Sequence, residues 1–116
     1  MKSLKNKVVL IGHVGIDPTI TNIEDGKKVA RLSLATNEQY TDVNGNKVKN
    51  TNWHTVIGWG KVAEIIEKYV KKGKQVAVEG KLVSRSYEDK DSVKRYVSEV
   101  VISEILLLSH DHENTI

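Results

Sequence analysis

The sequence predicts an all-β domain: a small five-stranded Greek-key barrel with one α-helix between its third and fourth strands. Three observations predict it. Apolar and polar residues alternate with period two in β-branched runs over residues 28–37, 51–61 and 75–87. Only residues 61–72 change to the period of a helix, with Val62, Ile65, Ile66 and Tyr69 as the apolar stripe. The first apolar run, residues 5–15, is interrupted by Gly12 and Gly15, where a narrow barrel needs its strand to bend.

The bulk properties set limits before any motif is considered. At 116 residues the chain is one domain with room for a real core. It has no run of about 18 apolar residues to span a membrane, and residues 1–7 lead straight into a strand-like run instead of a signal peptide, so a cytoplasmic protein is expected. With no cysteine, disulfides, thiol catalysis and cysteine-based zinc sites are excluded. A formal charge of +3, from 18 basic and 15 acidic side chains, is too small to define a partner. Its placement says more. Lys68, Lys71, Lys72 and Lys74 cluster, Lys81 and Arg85 follow, and Asp111 and Glu113 sit near the end.

In chain order, residues 5–15 read as a strand buried on both sides, and the following Asp17-Pro18 opens a turn, so Gly12 and Gly15 are structural rather than a phosphate loop. Residues 19–23 form a short extended piece closed by Asp25-Gly26 turn chemistry. Over residues 28–37, Ala30, Leu32 and Leu34 alternate with Arg31, Ser33 and Ala35, a half-buried strand with a polar face. Residues 41–50 are polar apart from two valines, contain Asn44-Gly45-Asn46, and read as a long mobile hairpin loop. Tyr40 shares the parity of the core residues, but at the mouth of that loop a change of backbone is expected to turn its ring outward.

The stretch 51–61, TNWHTVIGWGK, holds both tryptophans. Period two puts Trp53, Thr55, Ile57 and Trp59 on one face and His54, Val56 and Gly58 on the other. Six residues of strand separate the indoles by about 20 Å, too far to stack on each other. Taken alone they fit either of two roles, core packing or two separate platforms for nucleobases.

The helix over residues 61–72 pairs Glu64 and Glu67 with Lys68 and Lys71, ends at Gly73, and takes Tyr69 into the core. Over residues 75–87, Lys81, Val83, Arg85 and Tyr87 share one parity, putting cations beside a ring as a nucleic-acid groove requires. Residues 88–92 turn, residues 95–108 form a long last strand, and residues 110–116 are a polar tail after a domain spanning residues 1–109. One helix between the third and fourth of five strands is the arrangement of an OB-fold.

The residues that fill this plan carry a resemblance. They are Asn6-Lys7-Val8 with Leu10, Gly12, Gly15, Asp17 and Pro18; Leu34-Ala35-Thr36 before Tyr40; Trp53-His54 with Gly60-Lys61; the helix through Tyr69 to Gly73; Val78-Glu79-Gly80 with Leu82; and Arg95-Tyr96 with Glu99-Val100. From about Asn6 to Leu106 the chain resembles the bacterial single-stranded DNA-binding (SSB) family. The resemblance implies sequence-independent binding of single-stranded DNA in replication, recombination and repair, in the cytoplasm at the nucleoid, by a homotetramer of four OB-folds. It implies base stacking on Tyr40, Trp53, Trp59 and Tyr87, phosphate contacts from Lys61, Lys74 and Arg85, and a subunit-interface place for His54. Lys81, on the parity of Arg85, and Arg31, on the polar face of its strand, extend the expected phosphate contacts. Tyrosine stands at the first and last stacking positions where the best-known members have tryptophan, and tryptophan at Trp59 where they have phenylalanine. Each still offers a π-face worth about 1–3 kcal/mol per stacked base.

One departure concerns the tail. Family members usually end in an acidic tip with proline and phenylalanine that recruits other proteins, whereas this sequence has no Phe, its only Pro is Pro18, and it closes on Asn114-Thr115-Ile116. Either the tail has been lost or the chain is a short variant such as a mobile element carries, so no replication or repair partner is carried over. The nearest rival function is an OB-fold module for RNA or tRNA, because stacking is sequence-tolerant. Catalysis is not expected: His13 and His54 lie in strands, His110 and His112 in a loose tail beside Asp111 and Glu113, and no nucleophile-base set, paired carboxylates, cofactor motif or metal site stands out.

Overall fold

A computed structural model describes residues 4–108. Its strands are β1 (Val8–Val14), β2 (Thr19–Ile23), β3 (Lys27–Thr41), β4 (Lys47–Trp59), β5 (Gln75–Glu88) and β6 (Lys94–Leu107), with α1 (Lys61–Tyr69) between β4 and β5. Five of them close a ring in the order β1-β5-β6-β4-β3, which returns to β1 through His13↔Ala35 and Val14↔Leu34. The short β2 pairs with β3 alongside the ring. All pairings are antiparallel except a brief parallel seam between β4 and β6, at Val56↔Val100 and Ile57↔Val101. This is the predicted OB-fold barrel, with its helix between the third and fourth main strands. His110, Asp111, His112 and Glu113, and the tail from residue 110, lie outside the described residues.

Inward parity builds the core. Ala30, Leu32 and Leu34 of β3 face Val56 of β4, Val76 and Val78 of β5, and Val100 and Ile102 of β6, while Ala63 and Ile66 of α1 close one end. Leu32, Leu34 and Ile66 are fully buried, so truncating any one of them to alanine should cost about 2–5 kcal/mol. At Gly12 β1 passes so close to β3 that a Cβ would run into the carbonyl of Ala35.

Four expectations are corrected. β1 is not buried on both faces: Val9, Ile11 and His13 are exposed, because none of the described residues covers that side of β1. Residues 41–50 are not one long loop: Thr41 and residues 47–50 belong to β3 and β4, since a two-stranded arm bonded backbone to backbone needs no apolar side chain, and only residues 42–46 turn, where Asp42 Oδ1 accepts the N–H groups of Asn44 and Asn46. The helix stops at Tyr69, with Val70 already extended, and Gly73 (φ 91°) serves the following turn instead of a helix cap. Tyr69 is exposed, at the margin of a stripe centred on Ala63 and Ile66.

Candidate nucleic-acid interface

The outward parity of β3, β4, β6 and β5 forms one continuous surface. Its central row runs across four strands through successive partners, Arg31↔Ile57 on β3 and β4, Ile57↔Val101 on β4 and β6, and Val101↔Lys81 on β6 and β5. Trp53 and Trp59 lie on this parity of β4, four residues before and two after Ile57, and Arg85 and Tyr87 lie on it farther along β5. The three rings are 62%, 50% and 46% exposed for Trp53, Trp59 and Tyr87, so the tryptophans are not core residues. Ile57, between them, is buried on this same outer face.

Local packing seats each ring. Trp53 lies over Gly15, where a Cβ would strike its six-membered ring, and the Gly15 N–H is fixed by the Ser33 carbonyl at 2.9 Å. Gly15 is therefore the floor of an aromatic seat. Trp59 sits at the end of β4 opposite Val29 and is followed by Gly60 and Lys61, the exposed first residue of α1. Tyr87 stands on the β5–β6 arm opposite Arg95. That arm is closed by Asp89, which accepts Arg95 Nε at 2.9 Å and the N–H groups of Asp91 and Val93 at 2.9 and 3.0 Å. These bonds, that of Arg95 first, hold the Asp89 carboxyl below its ordinary pKa.

A residue that the sequence reading left without a role organises the charge. Glu99 of β6 points outward yet is 4% exposed. Its Oε2 accepts Arg31 Nη1 at 2.7 Å and Arg85 Nη2 at 3.2 Å, and its Oε1 accepts Arg85 Nε at 3.0 Å. The hydrogen bonds from Arg85, joined by Arg31, hold the Glu99 carboxyl below its ordinary value against the opposing effect of burial, and the same contacts push Arg85 up. The available signal was a lone carboxylate within the apolar run Val97 to Ile102, which a buried strand tolerates only beside cations.

The other expected site residues divide. Lys81 is exposed on the shared face, and Lys61 adjoins Trp59. Lys74 lies in the turn before β5, its carbonyl accepting the Val14 N–H at 2.9 Å, one residue from the Gly15 under Trp53. His54 is half-buried on the inward parity opposite Leu34, with Nε2 2.9 Å from Thr36 Oγ1. Tyr40 is corrected in its cause: it is exposed, but β3 runs through it without a break, opposite Val48, so no change of backbone re-aims it. It keeps the inward parity and is bare because the β3–β4 arm extends beyond the barrel. Among the described residues no group of three or more His, Asp or Glu side chains gathers to hold a metal, and no helix is long and apolar enough to cross a membrane.

A five-stranded OB barrel with aromatic rings and arginines on one open face defines the class. Residues 5–108 match the model of the Single-strand binding protein family, and the chain belongs to that family. It is 43% identical over 104 residues to single-stranded DNA-binding protein 1 of Chlorobaculum tepidum, covering 89% of this chain and 64% of that protein. With the single-stranded DNA-binding protein of Neisseria meningitidis serogroup B it shares 40% over 110 residues, covering 95% and 63%. The chain thus spans less than two thirds of the length of these relatives. Among solved structures, the Plasmodium falciparum SSB in complex with ssDNA superposes with a TM-score of 0.85 at 36% identity, over 94% of this chain and 98% of that one.

Proposed function

We propose that this chain binds single-stranded DNA without sequence preference, residues 1–109 acting as one binding domain. The observation that carries the reading is the single outer face on which Trp53, Trp59 and Tyr87 stand exposed beside Arg31, Arg85 and Lys81. Bases stack on these rings, and on Tyr40 at the tip side of the β3–β4 arm, because every base has a π-face. Lys61, Lys74, Lys81, Arg31 and Arg85 replace counterions along the backbone, which makes binding salt-dependent. The role we assign is binding and protection of the strand and not catalysis, supported by exposed rings that offer stacking surface.

The assembly we assign is a homotetramer, with His54 at a subunit interface. It is supported by a second exposed surface, where Ile11, Ala77 and Leu106 are successive partners across β1, β5 and β6 with Val9 beside them. Among the described residues β1 also meets β3 only at His13 and Val14, which leaves the edge of its first half unpaired by them. The setting is replication, recombination and repair in the bacterial cytoplasm, at the nucleoid. Titration with DNA and RNA oligonucleotides of equal length tests the ligand: tighter binding of DNA supports the reading, and preference for RNA replaces it with an RNA module.

A further inference from the structure

We propose that Glu99 is a positioning residue for strand binding, tying Arg31 and Arg85 into one bridge of net charge +1 that meets the DNA backbone as a single prearranged unit. The inference rests on the single-strand reading above. Glu99 sits on β6 opposite Val83 and joins an arginine on β5 to one on β3, beyond β4, so the bridge crosses the tryptophan strand between Trp53 and Trp59. Of five N–H donors on each guanidinium, Glu99 engages one from Arg31 and two from Arg85. The rest stay available on side chains that remain 50% and 48% exposed.

Two consequences follow from the chemistry. Arginines already held by a buried carboxylate give up rotamer freedom on folding instead of on binding DNA. The bridge also offers one net positive charge where two free arginines would offer two, so fewer counterions leave when a strand docks. Glu99 thereby moderates the salt sensitivity of a face whose rings supply sequence-tolerant affinity. Its depressed pKa keeps it ionised throughout the neutral range.

The test is a tryptophan-fluorescence titration with oligo(dT) at a series of salt concentrations, using the full chain, Glu99→Gln and the charge-compensated pair Arg31→Gln with Glu99→Gln. Glu99→Gln should steepen the slope of log K against log salt by about 0.7, or about fivefold in affinity per tenfold change in salt, with tighter binding at low salt. The paired variant, again +1 at this place, should return the slope of the unmodified chain. A Glu99→Gln slope equal to that of the unmodified chain, or a paired variant flatter by about 0.7, would assign Glu99 a merely structural part and overturn the proposal. If Glu99→Gln does not fold by circular dichroism, the paired variant alone decides by the same two outcomes. Absence of quenching in the unmodified chain overturns the single-strand reading itself, a different failure.

Discussion

The face of β3, β4, β6 and β5 and the face formed by β1 with the neighbouring stretches of β5 and β6 are both exposed surfaces of one barrel, made by the same period-two alternation. Their chemistry differs. The first presents two indoles, a phenol, Lys81 and a pair of arginines sharing one carboxylate. The second presents Val9, Ile11, Ala77 and Leu106, flanked by Glu79 and Glu104, which face each other across β5 and β6. A polyanion is attracted to the arginines and Lys81 of the first, whereas the aliphatic side chains of the second suit another protein surface. A strand's parity sets which residues reach the outside, and side-chain chemistry then decides what the outside meets.

Breaking each face separately sharpens the contrast. The largest effect is expected from Ile11→Glu, which puts a charge in the aliphatic patch: sedimentation should register a smaller assembly while each subunit still binds short oligonucleotides. An unchanged mass would remove β1 from the interface. Trp53→Ala should cost about 1–3 kcal/mol of affinity for single strands without altering subunit number. A loss of a few tenths would mean that this ring is no platform.

Acid should weaken the first face through its charge bridge. Glu99 and Asp89 have folded-state pKa values below their ordinary values of 4.5 and 3.8, so their stabilising contribution is complete above that range. It is lost as pH falls through the depressed values. Thermal melts should therefore drop below about pH 4.5, and the drop should shrink in Glu99→Gln. A variant that declines as steeply as the unmodified chain would exclude Glu99 as a source of that sensitivity. Smallest is Lys61→Ala, expected to flatten the salt slope by about 0.7 with base preference intact; no change would make Lys61 a bystander.

Much of this was legible in the sequence. Alternation gave the strands bearing Leu32, Val56 and Val78, and parity grouped Trp53 with Trp59 and Arg85 with Tyr87, but that both indoles face outward came with the family resemblance and not from parity. What failed shares a physical cause. A run such as Val8 to Val14 looks doubly buried whether its second face is covered by the same chain or left for another, because apolar residues satisfy both cases. The polar residues 41–50 looked like a loop because a projecting arm is held by backbone bonds that side chains do not announce. The Arg31–Glu99–Arg85 bridge depends on the register of strands up to 68 residues apart, so no local pattern contains it. Gly15 was read as a bend within the first strand, whereas it lies just past β1, and that Trp53 rests on it emerges only once β1 and β4 are brought together.

The most direct measurement is the quenching of tryptophan fluorescence by a long oligo(dT), at low and high salt, with duplex DNA of equal length beside it. Strong quenching by the single strand, weak response to duplex and only a shallow loss with salt are expected if exposed Trp53 and Trp59 supply most of the affinity by stacking. No quenching, or equal binding of the duplex, would contradict the assignment of this face to single-stranded DNA.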